Sequence, residues 1–143
     1  MTITKKIEQG FGNGVNGLYD ALKNLNNVAC DATITIASSD PAVVTIQLLD
    51  YLGNPVAAAN SVKAWVSSTA TGIDPSALSG EIALTSSGAG AVLIYLTHYF
   101  YELISEVDGT IAVTITDTGT TAQYLTLVMP NGKLVVSTTL GFA

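Results

Sequence analysis

From Asp31 onward, apolar and polar residues alternate in short runs with a period of two. Residues 31–38 put Ile34 and Ile36 on one face and Thr33 and Thr35 on the other. Residues 42–50 turn Val44, Ile46 and Leu48 inward against Thr45 and Gln47. Residues 61–67 set Val62, Ala64 and Val66 opposite Lys63 and Trp65, and residues 81–85 turn Ile82 and Leu84 inward. The cleanest run, 110–117, sets Ile111, Val113 and Ile115 against Thr110, Ala112, Thr114 and Thr116; 121–129 and 134–139 complete the set. A two-residue period means that alternate side chains leave opposite faces of an extended chain. Together with the β-branched enrichment, it predicts half-buried strands.

Turn chemistry separates these runs. Leu52-Gly53-Asn54-Pro55, Ser87-Gly88-Ala89-Gly90, Asp108-Gly109, Thr118-Gly119-Thr120 and Pro130-Asn131-Gly132-Lys133 all carry residues that tolerate or favour tight turns. Pro130-Asn131-Gly132, between two apolar runs, predicts a hairpin. Many short strands with no long helical pattern between them exclude a parallel α/β sheet and predict an all-β antiparallel sandwich over residues 31–143.

Residues 1–30 read differently. Gly10-Phe11-Gly12-Asn13-Gly14 does not resemble a packed element. Asn16 is placed to cap a short helix over 17–25, with Leu18, Leu22 and Leu25 in one narrow stripe. So short a helix needs a surface to pack on. That surface is either its own domain or another subunit, and in the second case the segment is an assembly arm.

Composition narrows the function. Charged residues are 11% of the 143-residue chain, against about 25% in an average soluble protein. Thr and Ser, with 18 and 11 residues, supply most of the polarity. Five Lys, no Arg and eleven carboxylates give a net charge of −6, which argues against a nucleic-acid groove built on clustered cations. One Cys and one His leave no basis for an intramolecular disulfide or a Cys/His metal site. No secretory leader is evident near the start, and the most apolar stretch, 91–96, is too short to span a bilayer. The expectation is a chain made in the cytoplasm that contacts neither nucleic acid nor membrane.

Candidate chemistry is sparse. His98 has Glu102 nearby in sequence but no nucleophile elbow, so it reads as a strand-end residue in an aromatic cluster. Cys30 lies beside Asp31, which disfavours a thiolate, and is expected to be buried and inert. Asp40, Asp50, Asp74, Asp108 and Asp117 sit beside turn residues, where a carboxylate caps backbone amides; a single loop calcium is the alternative. No catalytic residue, metal ligand or cofactor is assigned, and the expectation is a non-enzyme.

The aromatic residues are more informative. In 91–98 both faces are apolar, Val92, Ile94 and Leu96 on one and Leu93 and Tyr95 on the other. A strand with one face in water does not have this pattern. Either it is a central strand covered on both sides, or its outer face meets another chain, or the aromatics form a carbohydrate platform. Candidate interface residues are Trp65, Leu93, Tyr95, Tyr99 and Tyr101, with Leu18, Leu22 and Leu25 of the arm.

A strand ending in Asp50, followed by Gly53-Asn54-Pro55-Val56 and the strand around Val62, resembles bacterial immunoglobulin-like domains of the invasin type. Gly80-Glu81-Ile82, Gly88-Ala89-Gly90 and the strand from Thr110 continue the likeness over about residues 42–117. The polar arm, the single sandwich, the Thr/Ser/Ala-rich strands and the Leu140-Gly141-Phe142-Ala143 ending look like small structural proteins of tailed-phage virions. This resemblance implies an immunoglobulin-like sandwich and a virion location, as a head decoration or cement subunit. It implies a major capsid protein or other virion proteins as partners, and a homo-oligomer, with a trimer favoured. A tail-associated protein and an adhesion or carbohydrate-binding module are the alternatives.

Overall fold

The computed structural model describes residues 26–119 and 121–142. The helix expected over 17–25, and with it Leu18, Leu22 and Leu25, lies outside these residues. The described chain is all β, with nine strands: β1 (Asp31–Ser39), β2 (Ala42–Leu49), β3 (Ser61–Ser67), β4 (Ile82–Leu84), β5 (Ala91–Leu96), β6 (Phe100–Ile104), β7 (Thr110–Ile115), β8 (Tyr124–Val128) and β9 (Leu134–Thr139). They form two antiparallel sheets, ordered β1-β2-β7-β4 and β5-β6-β3-β8-β9.

Register explains the core. In the first sheet Val44 opposes Val113 and Ile46 opposes Ile111, and Ile82 opposes Ile115. In the second, Val62 opposes Leu103, while Ala64 and Val66 oppose Leu127 and Leu125. Each of these residues is at most 1% exposed. A one-residue slip in any strand would turn such a set to water, so the alternation fixes the register. Of the apolar-face residues expected from the sequence, Leu84 in the short β4 and Ile34 and Ile36 in the edge strand β1 are half-buried and pack against the core.

The turns follow their chemistry. The Asp50 carboxylate is 4% exposed and accepts the amides of Leu52 at 2.8 Å and Asn54 at 3.0 Å. Asp108 accepts the amide and hydroxyl of Thr110. The 130–132 turn closes β8 onto β9, with the Met129 amide donating to the Lys133 carbonyl at 2.9 Å. Cys30 is half-buried rather than buried.

Hydrogen bonding to the sandwich begins before residue 31. The Ala29 amide donates to Asn60 Oδ1 at 3.0 Å, Asn60 Nδ2 donates to the Asn27 carbonyl at 2.7 Å, and Ala29 is fully buried. The packed unit therefore includes residues 27–30, where periodicity alone placed its start at 31.

One element departs from the sequence reading. Polarity gives no strand signal over Phe100–Ile104 because aromatic residues occupy both of its faces; the segment is β6, hydrogen-bonded between β5 and β3. This corrects the assignment of Tyr101 to an interface. Tyr101 opposes Ala64, a core position, and is 1% exposed. Burial pushes its phenol above the usual value. The hydroxyl points toward the backbone of Ile82 and His98 but has no hydrogen-bond partner. An unpartnered buried hydroxyl contributes nothing to offset its lost hydration, so Tyr101→Phe is expected to leave stability within about 1 kcal/mol of the parent or to raise it. Urea unfolding tests this, and a loss above about 2 kcal/mol would mean that the hydroxyl is bonded.

Candidate functional site: an apolar edge and an aromatic groove

The site is built on the β5–β6 hairpin. His98 occupies its turn at φ +70°, a backbone region that His enters more readily than most side chains. The Tyr99 amide donates to the Leu96 carbonyl at 3.0 Å and closes the turn. The Leu78 amide donates to the His98 carbonyl at 3.0 Å, and His98 Nδ1 donates to the Gly80 carbonyl at 2.6 Å. A carbonyl can only accept, so the proton sits on Nδ1. Glu102, the carboxylate expected near His98, instead accepts the hydroxyls of Ser61 and Tyr95. His98 thus pins the hairpin tip to the segment leading into β4.

β5 is the edge strand of its sheet, neither a covered central strand nor a strand with a single wet face. Leu93, Ile94, Tyr95 and Leu96 are 48, 50, 62 and 52% exposed. Val92 and Ile94 oppose the core residues Leu103 and Tyr101 and lean toward the interior; Leu93 opposes Glu102 and Leu96 opposes Phe100 on the outer face. Both faces are apolar because the strand caps one open side of the sandwich. There β4 and β5 approach each other, leaving a groove of about 290 Å³ lined by Glu81, Ile82, Ala83, Leu84, Val92 and Ile94.

A second groove, about 340 Å³, lies on the outer face of the five-stranded sheet between Lys63, Trp65, Tyr95, Leu96 and Phe100. Trp65 and Phe100 are register partners in edge-to-face contact, with centroids 6.1 Å apart, and Tyr99 tilts against Phe100 at 6.3 Å. On its other side, Trp65 Nε1 donates to the Gly72 carbonyl at 2.7 Å. The 68–77 loop lies across this part of the sheet, where Gly72, at φ +78°, touches Thr126 and Val136 so closely that a Cβ would collide with both side chains. The outer face is therefore half covered by the chain itself and half open.

Of the residues expected at an interface, Trp65, Leu93, Tyr95 and Tyr99 come together on this open half and the adjoining edge. Ile94, Leu96 and Phe100 belong with them. Their signal was in the sequence: between Ala91 and Tyr101 there is no Lys, Arg, Asp or Glu to keep a strand edge in water.

Elsewhere, the described residues contain no group of three or more His, Cys, Asp or Glu side chains arranged to hold a metal ion, and no helix among them is long and apolar enough to cross a membrane. Asp117 ties the β7 end to Ser79, accepting its hydroxyl at 2.7 Å and its amide at 3.2 Å. Burial raises the Asp117 pKa, but the bonds from Ser79 and Gly119 outweigh it and the net shift is downward. The hydrogen bond from Lys133, 3.0 Å away, lowers Asp31, and Thr110 lowers Asp108.

A carboxylate depressed in the folded state stabilises above its unfolded value and loses that contribution as pH falls through the folded one. Stability should therefore hold from neutrality to about pH 4 and decline below it. The Asp31–Lys133 pair contributes under about 1 kcal/mol because both side chains are about half exposed. Chemical denaturation across pH 2–7 checks this, and Asp117→Asn should flatten part of the acid slope. An unaltered slope in that variant would remove Asp117 from the account.

No family model, curated protein or solved structure matches this chain.

Proposed function

We propose that this chain is a structural subunit of a tailed-phage virion, a head-associated decoration or cement protein that acts through protein–protein contacts. The observation that carries the reading is the uncharged apolar edge of Leu93, Ile94, Tyr95 and Leu96, continuous with the groove at Trp65 and Phe100. A cluster of half-exposed large apolar side chains on a charge-poor domain suits a surface that is covered in use. The immunoglobulin-like form of the sandwich is part of this proposal. What supports it is the strand order β1-β2-β7-β4 over β3-β8-β9, which parallels the ABED-over-CFG arrangement of that fold, with the β5–β6 hairpin extending the second sheet beyond β3.

The test is co-sedimentation of the purified chain with empty phage shells that lack it, compared with a chain lacking residues 2–25. The core formed by the described residues runs from Ala29 to Phe142 and is retained in that variant, so an arm that serves assembly alone leaves the melt of the truncated chain like that of the parent. If the N-terminal segment is an assembly arm, the truncated chain no longer joins the particle. A parent chain that binds neither shells nor tails removes the virion reading.

The open aromatic groove favours one second reading, an adhesion or carbohydrate-binding module, because Trp65, Tyr95 and Phe100 offer ring faces and Glu102 and Lys63 offer polar partners beside them. Saccharide binding that is lost in Trp65→Ala, without shell binding, would select it.

A further inference from the structure

The two long sides of the sandwich are unlike. On one side β1 and β9 lie against each other, clasped by the Asp31–Lys133 ion pair at 3.0 Å. β1 has a register irregularity between Ile36 and Ser38, and β9 has one opposite Tyr124–Thr126. On the other side the edges are β4, only three residues long, and β5. An edge strand presents unpaired N–H and C=O groups, and proteins blunt such edges with charge, proline, bulges or shortness. β4 is short. β5 has six residues, none of them charged or proline, and runs regularly from Ala91 to Ile94 before its irregularity at Ile94–Leu96.

We propose that β5 is a self-pairing edge: two copies of this chain join antiparallel, β5 against β5, about a two-fold axis, making one continuous sheet from the two five-stranded sheets. Three observations favour a second copy as the occupant. An antiparallel strand is its own complement, because each copy offers the donors and acceptors that the other lacks. The molecule carries a net charge of −6, so two copies repel over most of their surface, whereas the stretch from Ala91 to Tyr101 contains no Lys, Arg, Asp or Glu. The area also suffices. Leu93, Ile94, Tyr95, Leu96 and Tyr99 are 38–62% exposed, and two sets of them, covered completely, bury on the order of 1,000 Å², the least that a specific interface requires. Pairing of this kind gives a dimer, in place of the trimer expected from the sequence.

This inference rests on the reading that the chain works through protein contacts, but it is measured without particles, so the two fail separately. Sedimentation velocity of the full chain at micromolar concentration should show a dimer. Leu93→Lys and Ile94→Lys place like charges beside the two-fold axis and should weaken dimerisation at least about tenfold. Thr35→Lys on the exposed face of β1 should leave it unchanged. Far-UV circular dichroism should show all three variants folded, since each site is exposed or half exposed. A parent that stays monomeric, a trimer, or a dimer indifferent to charge at Leu93 and Ile94 would overturn the proposal. A monomer whose binding to shells is lost in Leu93→Lys would also overturn it, by giving the edge to another protein.

Discussion

Val113→Asp is expected to unfold the domain at ambient temperature. Val113 is fully buried in the middle of β7, between Val44 of β2 and Leu84 of β4. The aspartate would point into a layer made of Val44, Ile46, Leu103 and Leu127. Among the described residues no cation lies there: the Lys63 and Lys133 side chains lie in the outer groove and on the Asp31 ion pair. An unpaired carboxylate in such a place either stays charged, at several kcal/mol, or takes up a proton at a similar cost near neutral pH. The lost apolar burial of valine adds about 1.5 kcal/mol or more. Against a typical domain stability of about 5–15 kcal/mol, the sum removes most or all of the margin. Urea denaturation followed by Trp65 fluorescence measures it, and a melt like that of the parent would mean that β7 faces the other way.

That prediction can be made from sequence alone because β7 alternates without exception. The same holds for β2 and β3, where Thr45, Gln47 and Lys63 mark the wet face and the inward residues have at most 1% exposure. Legibility ends where a strand's outer face is not in water. β6 carries Phe100 outward and Tyr101 inward, so polarity gives no phase there. Thr126 points outward yet is fully buried, because the 68–77 loop covers it, an arrangement that only tertiary structure reveals. β5 was legible as anomalous but not as an edge, since periodicity assigns faces and not neighbours. The candidate site was likewise half visible: Trp65, Leu93, Tyr95 and Tyr99 could be named from their residue types, but their meeting depends on the β5-β6-β3 order.

Gly90→Val is expected to cost about 3 kcal/mol or more and to act on the candidate site from outside it. Gly90 ends the connection that carries the chain from β4 in one sheet to β5 in the other. Its φ is +110°, a conformation that a β-branched residue adopts only under strain. Its amide donates to Glu106 Oε1 at 3.0 Å. A Cβ at this position would press on the carbonyl oxygen of Ile104, well inside van der Waals contact. Ile104 belongs to the backbone of β6 and opposes Ala91, so it cannot yield without opening the β5–β6 ladder. Backbone strain of about 1–3 kcal/mol and overpacking of similar size both apply, and 3 kcal/mol corresponds to a melting temperature lower by roughly 10 °C. The damage should be local first. Amide exchange in Ala91–Ile94 and Phe100–Ile104 should rise before exchange in β2 or β7, because the hairpin forms one end of its sheet whereas those strands lie inside theirs. Uniform loss of protection across both sheets would mean instead that the hairpin and the core fold as one unit. Unchanged stability would mean that the β4–β5 crossing has room that its backbone geometry denies.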